Sequence, residues 1–187
     1  MFYLVFGIAL VTVVLIFTRI YKNENAVTYE RVDEYGIVFD VPDDYRKVHS
    51  ELLDANSYQE LSGDFQITVF DFVNEEKTVE EYITEIREAF ISGLFDNEAY
   101  ISQMVGDPVS NIRLREHGIE DNNGIEMGYM TFSYELEEKK KSTRMIEKIY
   151  LIDKGDKFIQ LGFVYEPDDK DKYAEIVDHV VGTVEMK

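Results

Sequence analysis

Four runs rich in β-branched and aromatic residues, at 109–116, 125–136, 142–152 and 158–166, follow one another with only short polar breaks between them. The breaks are Asp121-Asn122-Asn123-Gly124, residues 137–141, and Asp153-Lys154-Gly155-Asp156. Asn-Gly behind an Asp is a strong signal for a primed two-residue turn, since both central positions of such a turn take positive φ; Lys154-Gly155 is a weaker one. Strands joined this tightly pair as an antiparallel meander.

Upstream, residues 27–32 and 36–41 read as two short strands across Asp33-Glu34-Tyr35, the second ending at the turn signature Pro42-Asp43-Asp44. An irregular polar stretch follows, and residues 57–62 and 66–73 then form a hairpin across Gly63-Asp64. Between the hairpin and the meander lies a helix. Thr78 is its expected N-cap, with Glu81 completing a capping box. Val79, Tyr82, Ile83, Ile86, Ala89 and Phe90 share one face of it at helical spacing. Gly93 lies near its end, and residues 97–105 add a further turn or two before Gly106-Asp107-Pro108. Pro167 opens a second helix, on which Tyr173, Ile176, Val177, Val180, Val181 and Val184 form an apolar stripe. The fold class is therefore α+β, an antiparallel sheet with two amphipathic helices packed on it.

One N-terminal transmembrane helix is expected to precede that domain. Residues 1–18 contain no Asp, Glu, Lys, Arg or His, and the apolar run covers residues 2–18. Crossing roughly 30 Å of hydrocarbon takes about 20 helical residues, a length reached at Ile20 and Tyr21 if Arg19 snorkels. No Lys or Arg precedes the run and no Ala-x-Ala site follows it, so it reads as an uncleaved anchor rather than a signal peptide. Without cysteine, a lipid-anchored lipoprotein is excluded. The division is residues 1–22 as anchor and basic flank, and 23–187 as one acidic domain. Arg19 and Lys22 lie C-terminal to the span, which leans the domain toward the cytoplasmic side of a bacterial membrane.

All 38 acidic residues fall beyond Lys22 together with 17 of the 19 Lys and Arg, so the domain carries a formal charge of −21. Such a surface repels phosphate backbones, and nucleic acid is excluded as a partner. An apolar content of 45% with 13 Tyr and 12 Phe argues for a packed core despite that charge.

The segment Tyr35-Gly36-Ile37-Val38-Phe39-Asp40-Val41-Pro42-Asp43-Asp44-Tyr45 has a Phe-x-(apolar)-Pro-x-x-(aromatic) form. A hairpin, a Thr-Val-Glu-Glu-Tyr helix, an Asn-Gly turn, long strands carrying Tyr134-Glu135-Leu136 and a final helix follow it. Over about residues 29–184 this order resembles the PsbP-like domain superfamily, which includes bacterial lipoprotein domains. The resemblance implies a non-catalytic fold used for protein contacts, with no catalytic residues to carry over. The chain departs from the lipoprotein members in having no lipidated cysteine.

No residue is singled out as catalytic, cofactor-binding or metal-ligating. Zero cysteines remove thiolate chemistry, and His49, His117 and His179 are far apart with no zinc spacing. Asp121-Asn122-Asn123-Gly124 and Asp168-Asp169-Lys170-Asp171 lack the ligand spacing of a calcium loop; they read as a hairpin turn and as acids at a helix N-terminus. Seven strand aromatics, Tyr129, Phe132, Tyr134, Tyr150, Phe158, Phe163 and Tyr165, read first as core, with an exposed aromatic binding surface as the alternative. The functional expectation is a membrane-anchored binding or adaptor module that touches the lipid bilayer through its N-terminal helix and a protein partner through its domain. The alternatives are an immunity or inhibitor protein that neutralises a basic toxin, and a carboxylate-dependent hydrolase.

Overall fold

The computed structural model describes residues 27–50, 54–92, 98, 108–138, 141–167 and 170–187. The expected anchor lies outside the described residues, as does all but Glu98 of the helical extension at 97–105. Among the described residues no helix is long and apolar enough to cross a membrane.

Strands β1 (Tyr29–Glu34) and β2 (Ile37–Pro42) form a hairpin, and β3 (Arg46–Ser50), β4 (Ala55–Gln59) and β5 (Phe65–Val73) follow. Helix α1 (Val79–Ser92) leads to the meander of β6 (Val109–Asn122), β7 (Ile125–Glu138), β8 (Lys141–Asp153) and β9 (Lys157–Tyr165). Helix α2 (Lys170–Gly182) and the two-residue β10 (Glu185–Met186) close the chain. One sheet has the order β3-β4-β5-β9-β8-β7-β6, and a smaller one has the order β1-β2-β10. Every pairing is antiparallel.

The two helices lie on opposite faces of the seven-stranded sheet, because neighbouring residues of one strand join different cores. On β8, Tyr150 and Ile152 pack with Phe65, Ile67, Leu161 and Phe163 and with Tyr173, Ile176 and Val180 of α2. Leu151 between them packs with Met130, Phe132 and Phe158 under Val79 and Ile83 of α1. Ile37, Phe39 and Val41 of β2 belong to the α2 core, so the small sheet and α2 form one layer and α1 forms the other. The predicted apolar stripe is buried along its whole length, with its last member, Val184, lying beyond the end of α2 at Gly182. Phe65 sits at the centre of that core, with ring centroids 4.8 Å from Tyr173 and 5.8 Å from both Tyr45 and Tyr165.

The capping box forms as read. Thr78 Oγ1 accepts from the Glu81 N–H at 3.2 Å, and Glu81 Oε2 accepts from the Thr78 N–H at 2.8 Å. The β6–β7 turn is also as read, with Asn123 and Gly124 at φ 54° and 83°. Asp121 Oδ1 accepts from the Gly124 N–H at 3.1 Å. Asn122 and Asn123 donate to the Val181 and Gly182 carbonyls at 2.5 and 3.0 Å, so the hairpin turn caps the C-terminal end of α2.

Three expectations are corrected. The irregular stretch after Pro42 contains β3, an edge strand whose Arg46, Lys47, Val48 and His49 are all exposed, so no apolar alternation marks it. Gly36 belongs to a turn with Tyr35, at φ 84° and 51°, and not to the second strand. The strands divide between two sheets instead of forming one, because β1, β2 and β10 cover the face that α2 alone is too narrow to close.

Candidate functional site

The histidines stay apart. His49 on β3 lies 3.0 Å from Asn56 Oδ1, and His179 on α2 lies 3.2 Å from Asp40 Oδ2 with its ring stacked on Tyr29. His117 is exposed on β6. Two acids are committed to holding layers together. Glu34 is only 6% exposed and accepts from Lys47 Nζ at 2.5 Å, from Asn56 Nδ2 at 2.6 Å and from the Tyr58 hydroxyl, which ties β1 to β3 and β4. Burial alone would raise its pKa, but these hydrogen bonds outweigh it and hold the carboxyl below its ordinary range. Glu60 accepts from Lys172 Nζ at 2.6 Å, the Tyr173 hydroxyl at 2.8 Å and the Ser62 hydroxyl at 2.9 Å, joining the β4–β5 turn to α2. Burial opposes its ionisation too, and the same three donors lower its pKa.

The first candidate site is the part of the α1 face that α1 leaves open. Helix α1 lies across β6, β7 and β8. Over β4, β5 and β9, the register aligns Ser57 with Thr68 and Gly162, Gln59 with Gln66 and Val164, and Phe70 with Gln160. Thr68, Gln59, Gln66, Phe70, Gln160 and Val164 are partly accessible, and none is charged. Gln66 Nε2 donates to Thr68 Oγ1 at 2.9 Å and to Ser57 Oγ at 3.2 Å, and Gln59 Nε2 donates to Gln66 Oε1 at 3.3 Å. In a chain with 30% charged residues, this is a pre-ordered uncharged surface three strands wide. Glu147 borders it on β8, opposite Val164 and Phe132. With no hydrogen bond or ion pair among the described residues, its carboxyl is pushed up to about 7 by burial.

The second candidate is a cavity of about 260 Å³ on the α2 face, lined by Asn111, Arg113, Arg115, Ser133, Tyr134, Glu135 and Arg144. Two bulges in β6 build it, since the register against β7 shifts between Ser110 and Arg113 and again between Leu114 and Glu116. Asn111, at φ 55°, sits in the first bulge, and Arg115 is the extra residue of the second. Arg115 Nε donates to the hydroxyl of Ser133, itself 2% exposed, at 2.7 Å. Arg113 pairs in register with Ser133, and Arg144 with Glu135, which brings three guanidiniums to one face.

No family model and no curated protein sequence matches the chain. Among solved structures it is similar to cyanobacterial PsbP (CyanoP) of Synechocystis, with a TM-score of 0.60 at 15% identity, over 87% of this chain and 95% of that one. The fold is PsbP-like. A second similar structure is the Ran-binding protein Mog1p of Saccharomyces cerevisiae, with a TM-score of 0.53 at 10% identity, over 86% of this chain and 96% of that one. A protein of Bacteroides thetaiotaomicron matches with a TM-score of 0.52 at 9% identity, over 86% of this chain and 48% of that one. At these identities the likeness fixes the PsbP-like architecture, and function has to be argued from side chains.

Sequence reasoning missed both candidate surfaces. Arg113-x-Arg115 and Gln66-x-Thr68 carry the period-2 spacing that puts both members on one strand face, a signal that shows a shared face and not what lies beside or over it. The aromatic alternative is overturned: Phe132, Tyr134, Tyr150, Phe158, Phe163 and Tyr165 are buried and Tyr129 is partly buried against the α2 core. Among the described residues the exposed large hydrophobics are Val27, Val48, Leu61, Val73, Ile91, Ile119 and Met186, none of them aromatic.

Proposed function

We propose that the chain is a single-pass membrane-anchored, non-catalytic protein-binding or adaptor module, with residues 1–22 as anchor and flank and 23–187 as the acidic binding domain. The observation that carries the reading is the uncharged, hydrogen-bonded face of Gln59, Gln66, Thr68, Phe70, Gln160 and Val164 beside α1. Interface centres are depleted in charge, and a surface already ordered by its own hydrogen bonds loses little entropy when a partner docks. The PsbP-like fold adds support, since Mog1p is by name a Ran-binding protein. The lean toward the cytoplasmic face rests on Arg19 and Lys22.

Crosslinking followed by capture from detergent-solubilised membranes tests the reading, with Thr68→Arg placed in the middle of the face. A specific protein recovered with the wild type and lost with Thr68→Arg is the expected result. Recovery unaffected by that change removes the face from the function. Protease accessibility in intact cells against opened membranes tests the side, and digestion in intact cells reverses it.

Neutralisation of a basic toxin is the second reading, supported by the formal charge of −21 beyond Lys22. It differs in predicting a partner whose capture collapses at moderate salt. A carboxylate-pair hydrolase has less support: Glu34 and Glu60 are saturated with donors, and the arginine-lined cavity presents one carboxylate, Glu135.

A further inference from the structure

In a domain where acids outnumber bases by two to one, a cation normally finds a carboxylate. Of the seven lysines with described side chains, Lys47, Lys77, Lys157, Lys172 and Lys187 are each within 4.0 Å of an acid. Lys154 donates to the Gly36 carbonyl, and Lys148 lies over the Tyr150 ring.

Of the six arginines with described side chains only Arg31 pairs with acids among the described residues; Arg46 and Arg87 stand singly without a salt bridge there, whereas the β6–β7–β8 cavity gathers three such arginines at one place. Arg113, Arg115 and Arg144 have no salt bridge among the described residues, although acids stand nearby. Those acids are engaged by neutral donors: Glu135 Oε2 by the Ser142 hydroxyl at 3.2 Å, Glu137 Oε1 by the Ser110 hydroxyl at 2.9 Å, and Glu98 Oε1 by the Asn111 N–H at 3.1 Å. Among the described residues the one guanidinium donor of the three in use is Arg115 Nε, and its bond to the buried Ser133 hydroxyl fixes the fork of that side chain. The two β6 bulges, one with Asn111 in the left-handed region, are what place Arg113 and Arg115 beside Arg144. Drug-sized ligand sites span roughly 300–1,000 Å³, so a cavity of about 260 Å³ takes a small anion or one ionic end-group.

We propose that Arg113, Arg115 and Arg144 form a binding site for a phosphate dianion, either inorganic phosphate or the phosphate end of a small ester. Planar guanidiniums with free paired donors match tetrahedral oxyanions bidentately, and three of them against one lining carboxylate favour a dianion over a monoanion. This site is independent of the docking face, which lies on the other side of the sheet.

The test is calorimetric titration of the full-length chain with sodium phosphate at low ionic strength, repeated with phenyl phosphate and with sodium acetate. Saturable binding of inorganic phosphate is expected, weakening as salt is added and absent for acetate. Tighter binding of phenyl phosphate assigns the site to an ester; equal or weaker binding assigns it to the free ion. Arg113→Gln and Arg144→Gln are each expected to weaken binding about tenfold or more with an unchanged circular dichroism spectrum, while Arg46→Gln on β3 leaves affinity unchanged. Arg115 is left intact because its bond to Ser133 is part of the packing. The proposal is overturned by no saturable binding, by acetate binding as well as phosphate, or by equal affinity in the Arg113→Gln and Arg144→Gln variants.

Discussion

Replacing Glu147 by Gln separates the cost of ionising one carboxylate from everything else that changes with pH. Glu147 lies on β8 between Phe132 and Val164, at the border of the uncharged face, and burial lifts its pKa from the ordinary 4.5 to about 7. The unfolded chain releases this proton near pH 4.5 and the folded chain holds it until about pH 7, so folding takes up a proton between those values. The sign follows: below pH 4.5 both states are protonated and the group costs nothing, between 4.5 and 7 stability falls as pH rises, and above 7 the full penalty applies. At 1.36 kcal/mol per pH unit the gap amounts to roughly 3 kcal/mol. The residue keeps part of its surface accessible, and solvent screening trims this to about 2 kcal/mol. Glu147→Gln should therefore be more stable than the wild type by about 2 kcal/mol at pH 8, relative to its offset at pH 4. Urea unfolding followed by far-ultraviolet circular dichroism measures this, since the chain has no Trp. The remaining acids titrate alike in both proteins, so charge repulsion cancels in the difference. A stability difference constant within about 0.5 kcal/mol from pH 4 to pH 8 refutes the assignment, whatever its absolute size.

A Cβ added at Gly128 would lie 2.5 Å from Val79 Cγ1 and 2.7 Å from Ile83 Cγ1, so Gly128→Ala should push α1 off β7. We expect a loss of about 1–3 kcal/mol and faster hydrogen exchange confined to α1. Thr78→Ala removes the acceptor for the Glu81 N–H and should cost about 1 kcal/mol in urea unfolding. Phe65→Ala empties the centre of the α2 core among Tyr45, Phe163, Tyr165 and Tyr173. It should cost about 3–5 kcal/mol in the same assay, against which the Thr78 change is small.

The elements that could be read from the sequence are those whose signal is local. The capping box of Thr78 and Glu81, the Asn123-Gly124 turn and the stripe of α2 from Tyr173 to Val181 each have their cause within a few residues, and each forms where expected. Edge strand β3 was hidden because an edge is kept soluble by charge, and Arg46-Lys47-Val48-His49 carries no burial period. The second sheet was hidden because β10 is two residues long and pairs with β2 across nearly the whole chain. The arginine cavity depends on two bulges, and no residue pattern in Ser110-Asn111-Ile112-Arg113-Leu114-Arg115-Glu116 shows where the register against β7 shifts. The open half of the α1 face follows from where α1 comes to rest, which no pattern in β4, β5 or β9 encodes.

The layers determine how these sites relate to each other. Tyr29 begins β1 in the small sheet on the α2 side, while the uncharged face of Gln66 and Thr68 lies on the α1 side, so the chain enters one side of the seven-stranded sheet and offers its docking surface on the other. An anchor preceding residue 27 would leave that surface turned away from the layer through which the chain arrives. The phosphate cavity opens on the α2 side, and the strand that separates it from the α1 face there is β7, where Ser133 faces the arginines while Phe132 packs under α1. Glu147 pairs in register with Phe132 on β7, and Arg144 of the cavity precedes it by three residues on β8, so β8 carries both the cavity and the border of the docking face. Substitutions at well-separated, unconnected sites add to within about 0.3–0.5 kcal/mol. The Arg144→Gln and Thr68→Arg changes should therefore combine additively in both phosphate affinity and partner capture, and a larger interaction between them would show that the sheet from β8 through β9 to β5 couples the two sites.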